Sequence, residues 1–146
     1  MPTLSEETVA AIGRMTVAAA DLEHLLAEIA GDREAVSRPG GALAAARASA
    51  QDAPADVRAA FAPAVEAAAT QLAIVHNTLR RLWGTPEPAG PAVFDEVAVH
   101  VWRCREWLRL VAGEYVDGPP PPSRATDVDV CINVDVNTSV NMLMPH

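Results

Sequence analysis

APAVEAAATQLAIVHNTLRRLW, residues 62–83, is the longest run in the chain with an uninterrupted helical period. Starting one residue earlier, Phe61, Val65, Ala68, Leu72, Val75, Leu79 and Leu82 step alternately by four and three, which places them on one face of a helix. The pair His76-Asn77 interrupts this apolar run, with His76 at the edge of the face. The helix is expected over about residues 54–83, with Asp52 as its N-cap and Pro54 in the first turn. Pro63 lies inside it, removes one ladder bond and crowds the carbonyl of Ala59, so a kink or break is expected there. Gly84 and the proline-rich turn of residues 85–91 end it.

The flanking segments carry the same period. Thr3-Leu4-Ser5-Glu6 reads as a capping box opening a helix over residues 4–30. Its stripe is Val9, Ile12, Met15, Ala19, Leu22, Leu26 and Ile29, and Gly31 stops it. Residues 32–41 form a polar break, and residues 42–50 a short alanine-rich helix. A last helix spans residues 92–116, with Val97, Val101, Cys104, Leu108, Val111 and Tyr115 on its stripe and Trp102 and Trp107 beside it. Three long helices and one short one bury each other's stripes as an antiparallel all-α bundle, residues 1–118. Cys104 reads as a small core residue.

At residue 119 the character changes. Four prolines, Pro119–Pro122, form a stiff spacer. Beyond them, residues 127–136 alternate polar and apolar with period two, and no alanine follows Ala125. Residues 119–146 are therefore read as a separate extended or disordered, β-prone tail.

Composition narrows the function. The chain has 146 residues, enough for one domain with a core, and only 4% of them are aromatic, so that core must be built from small side chains. The formal charge of −8 argues against general affinity for nucleic acid or an anionic membrane. All 11 basic residues are arginine, which with the alanine and proline load points to a GC-rich bacterium. No apolar run reaches the roughly 20 residues of a membrane span. MPTLSEETVAA lacks a basic region and an apolar core, so no signal peptide is expected and a cytoplasmic location is. Two cysteines make neither a disulfide framework nor a zinc site. His24 and Glu28 form an i,i+4 pair without further ligands, so no metal and no cofactor are expected. Glycine-rich phosphate loops and nucleophile elbows are absent, which disfavours a metabolic enzyme.

Ile74-Val75-His76-Asn77, followed by Leu79 and Trp83, resembles part of the motif of small helical HEPN domains, in which four to six residues separate an arginine from a histidine that an aliphatic pair immediately precedes. The resemblance extends to the order and size of the helices. It implies a dimer cleft in which arginine and histidine cut RNA. Histidine would move the proton of the ribose 2′-OH and arginine would hold the developing phosphate charge. His76 and Asn77 are the catalytic candidates, and Arg80 and Arg81 the phosphate-contact candidates. The motif arginine is replaced by Gln71, a neutral amide. The resemblance therefore implies a non-catalytic relative, an interaction protein of a bacterial conflict system (toxin–antitoxin or phage defence) working as a homodimer or with a partner protein. If the chain is an enzyme, it is a HEPN-type ribonuclease.

The tail supports two alternatives. One is a precursor whose tail is modified or cleaved by a modifying enzyme or protease, with Cys131, Asn133, Asp135, Asn137, Thr138, Ser139 and Asn141 as the groups acted on. The other is a docking module that adds its tail as a strand to a partner's sheet edge.

Overall fold

The computed structural model describes the backbone of residues 3–117 and the side chains of residues 3–113. The tail and its candidate residues lie outside that range, as does the Tyr115 side chain. Four α-helices and one 3-10 turn make up the described chain, and no strand occurs among the described residues. They are α1 (Glu6–Ile29), the 3-10 turn (Arg33–Ser37), α2 (Gly41–Asp52), α3 (Ala55–Gly84) and α4 (Pro91–Asp117). The all-α bundle of three long helices and one short one is the architecture expected from the sequence.

α1 starts two residues later than the capping box proposed. Ser5, not Thr3, is the N-cap, and its hydroxyl oxygen accepts the Thr8 backbone N–H at 3.2 Å. The Ser5 and Thr8 hydroxyls also meet at 2.9 Å, which lets Thr8 be buried in place of the exposed Val9. Glu6 and Glu7 sit in the first turn, at the positive end of the helix dipole. The helix ends as expected at Gly31, whose φ of 72° permits the left-handed turn. The Asp32 N–H donates to Ala27 O and the Gly31 N–H to Glu28 O, both at 3.0 Å, satisfying carbonyls the helix leaves open.

α2 packs through alanine. Ala42, Ala46 and Ala50, four residues apart, are buried and allow close approach to α1 and α3. Gly41 is needed where α2 begins, because a Cβ there would run into the Ala35 carbonyl oxygen. Asp52 closes α2 instead of capping α3. Pro54 takes the cap position of α3 without a side-chain bond. Pro63 does not break α3, which runs through it for 30 residues. Pro63 itself is exposed, while Phe61, Ala64, Val65 and Ala68 around it are buried and hold the helix in place.

α4 lies between α1 and α3, which scarcely touch each other. Two ion pairs set the direction of the first contact. Arg14 of α1 meets Asp95, and Asp21, further along α1, meets Arg105, further along α4. Both numbers rise together, so α1 and α4 run in parallel and α3 runs back between them in sequence, an up-down-up bundle. α2 and the 3-10 turn pack against α1, and α2 also against α3. Phe94, Met15, Leu22, Leu26, Leu108, Val65, Val101 and Cys104 form the centre of the core. Trp107 is buried with them, whereas Trp102 points outward and does not widen the stripe. Among the described residues, no helix is long and apolar enough to cross a membrane.

Candidate functional site

The C-terminal half of α3 carries the residues singled out in the sequence. His76 and Arg80 are four apart, as are Asn77 and Arg81, so the two pairs lie side by side along one flank. All four are exposed. His76 is therefore not the partly buried histidine that the edge of an apolar stripe implies. The stripe is narrower than its spacing indicates, with Val75 and Leu82 buried but Leu72 and Leu79 only partly so. Ile74 and Trp83 are exposed on the same half of the helix, Trp83 at 67%. Two threonines on this half return their hydroxyls to the helix backbone. Thr78 donates to Ile74 O at 2.7 Å, and Thr85 donates to Arg81 O at 2.9 Å across the helix end.

Gln71 stands apart from this group. It is 8% exposed, and its Oε1 has no hydrogen-bond partner. Five residues of helix turn the chain through about 140° between positions 71 and 76. One side chain therefore faces the core and the other faces water. The position that resembles the motif arginine cannot share a solvent-facing phosphate site with His76, so the pairing on which ribonuclease chemistry depends is not assembled within one chain.

The electrostatics separate Arg80 and Arg81 from most of the other arginines. Arg14 bonds Asp95 through two nitrogens at 2.8 and 3.0 Å. Arg47 binds Glu66 in the same way and at the same distances. In each pair the hydrogen bonds from the guanidinium hold the carboxyl below the usual range and raise the arginine. Arg38 reaches Asp32, Arg33 reaches Glu28, and Arg109 reaches Glu106. Arg105, half-buried, lies against both Asp21 and Glu106. Arg105 and Arg109 are thus committed to ion pairs and do not form an open basic patch on α4. Arg80 and Arg81 make no ion pair with a described residue. Arg81 also borders a cleft of about 270 Å³ between the end of α3 and the start of α4, where Glu87 and Phe94 face it.

His24 and Glu28 are both exposed on α1, and among the described residues no three His, Cys, Asp or Glu side chains are grouped closely enough to hold a metal. No protein family matches the chain, and neither a curated protein nor a solved structure gives a significant match to it. What sequence reasoning missed is the selection among arginines. His76, Asn77, Arg80 and Arg81 were visible as a group, but Trp83 and Ile74 join them only once the helix is seen to leave that flank uncovered.

Proposed function

We propose that this chain is a non-catalytic, HEPN-like helical interaction protein of a bacterial conflict system, which pairs with a second copy of itself through the outer flank of α3. The observation that carries this reading is the pair Arg80 and Arg81, which meet no described acidic residue, with the exposed His76 and Trp83 on the side of Arg80 and the exposed Ile74 on the side of Arg81. Tryptophan and arginine are the residues that most often dominate the energy of protein interfaces. The flank also has self-complementary spacing. Glu66, Ala73 and Arg80 are exposed and seven residues apart, about two turns. A two-fold axis at the small Ala73 would lay two α3 helices antiparallel and bring Arg80 of one beside Glu66 of the other. The buried Gln71 supports the non-catalytic part.

The test is the mass of the full chain in solution by sedimentation, for the wild type and for Arg80→Glu with Trp83→Ala. The expected result is a dimer for the wild type and a monomer for the variant, with the helical circular dichroism of the variant unchanged. A wild-type monomer at micromolar concentration overturns self-pairing. RNA cleavage that is lost in His76→Ala overturns the non-catalytic reading.

A further inference from the structure

α1 and α4 are bridged twice, by Arg14 with Asp95 and by Asp21 with Arg105. Along α4 the two bridges bracket a cleft of about 580 Å³, lined by Arg14, Asp95, Ala98, Val99, Trp102 and Arg103. Its surface is almost wholly apolar, although it opens to solvent. Trp102 is 51% exposed at its wall, and Val17, on α1 between the two bridges, is 69% exposed. Among the described residues nothing covers these groups, and the proposed pairing flank on α3 does not involve them.

We propose that this cleft is the docking site of the chain's own C-terminal segment, residues 127–136, which folds back on the body that carries it. Three quantities agree. The cleft extends along α4 from Asp95 to Arg103, a rise of about 12 Å. In an extended segment, side chains on one side repeat every two residues, about 6.6 Å, so Val128, Val130 and Ile132 cover about 13 Å. The chain leaves α4 at Asp117 and must return about 22 Å to reach the level of Trp102. The nine residues 118–126 reach up to about 30 Å when extended, and their four prolines make about 12 Å of that a stiff spacer.

Tethering favours this occupant. The link to α4 holds the segment at an effective concentration on the order of millimolar, which a second molecule does not match at ordinary protein concentration. Docking also removes a valine-rich strand from the risk of cross-β association.

The test uses the full chain carrying a nitroxide on Cys131, a residue of the segment's polar set. Cys104 is buried in the core, so the label is directed to Cys131 and confirmed by mass. The expected result is that amide signals of Val17, Ala98, Val99 and Trp102 lose more than half their intensity, independent of dilution, while those of residues 76–83 do not. Val130→Asp with Ile132→Asp restores the signals. Attenuation at none of these residues, or spread evenly over the body, overturns the proposal. Attenuation that appears only when isotope-labelled chains are mixed with separate nitroxide-carrying chains assigns the cleft to another molecule's tail, and also overturns it.

Discussion

The two halves of α3 belong to one helix but are used differently. In the first half Phe61, Ala64, Val65 and Ala68 are buried, and the outward carboxylate of Glu66 is held by Arg47 of α2. In the second half Val75 and Leu82 are buried, but the outward His76, Asn77, Arg80, Arg81 and Trp83 are left to solvent. The cause is the length of α2. Its 12 residues meet α3 around Arg58–Glu66, and the remaining turns of α3 extend beyond its reach. The first half supplies stability, and the second supplies surface chemistry at little cost to stability.

The largest effect that could break this division is in the core. Phe61→Ala should destabilise the protein by about 3–5 kcal/mol, since it removes a buried ring and leaves a cavity. Trp83→Ala, measured at a concentration where the chain is monomeric, should change stability by less than about 0.5 kcal/mol, because a side chain exposed in the single chain has little to lose. Urea unfolding of both variants checks the pair. Equal losses would mean that Trp83 packs against something and that the two halves are not distinct.

Gln71 marks the boundary between the halves. Its carbonyl oxygen is buried without a donor, and the Trp107 Nε1 is a buried donor without an acceptor. Gln71→Leu should stabilise the bundle by about 1 kcal/mol by removing an unpaired polar group. Gln71→Arg, which introduces the arginine of the motif that this stretch resembles, should cost about 3 kcal/mol, because it buries a charge without a partner. Thermal melting of both variants decides the point. A neutral Gln71→Arg would show that position 71 can turn to solvent and reach the side of His76.

The helices could be read from the sequence because large apolar residues repeat at intervals of three and four. The phase of α1 could not be read as well. In a chain this rich in alanine the core is partly alanine, as at Ala11, Ala27, Ala46, Ala64 and Ala68. A stripe drawn through the larger side chains therefore slips, so that Val9 stood in for Thr8, and Phe94 was overlooked. The candidate site was legible as a group of residues but not as a surface. Whether an arginine is free depends on partners far away in sequence. Arg47 finds Glu66 19 residues on, and Arg14 finds Asp95 81 residues on. No local spacing distinguishes those arginines from Arg80 and Arg81.

Pro63 sharpens the contrast from the other side. The first half of α3 tolerates a proline in its interior because its neighbours are buried on both sides. Pro63→Ala restores the N–H that the Ala59 carbonyl lacks. The intrinsic gain, about 3 kcal/mol, is partly offset by the greater freedom of the unfolded chain. A net gain of about 1–2 kcal/mol in denaturant unfolding is expected. A loss would mean that a bend at Pro63 is part of how α2 meets α3.

The smallest effect concerns the pair that closes the first half. Hydrogen bonds from Arg47 hold the Glu66 carboxyl below its usual range in the folded protein. A carboxylate whose folded value is lowered contributes stability above its unfolded value and loses it as pH falls through the folded one. The contribution of this pair is therefore present at neutral pH and disappears in the acid range, below the ordinary glutamate value. Both side chains are about half exposed, so water and salt screen the pair and the effect is small. Glu66→Gln should flatten the fall of stability with pH in that range and leave the neutral-pH curve nearly unchanged at high salt. Melting at several acid pH values, at low and at high salt, checks this. An unaltered acid slope would mean that Arg47 does not hold Glu66 in solution. The carboxylate would then be as free as the arginines two turns further along the exposed flank.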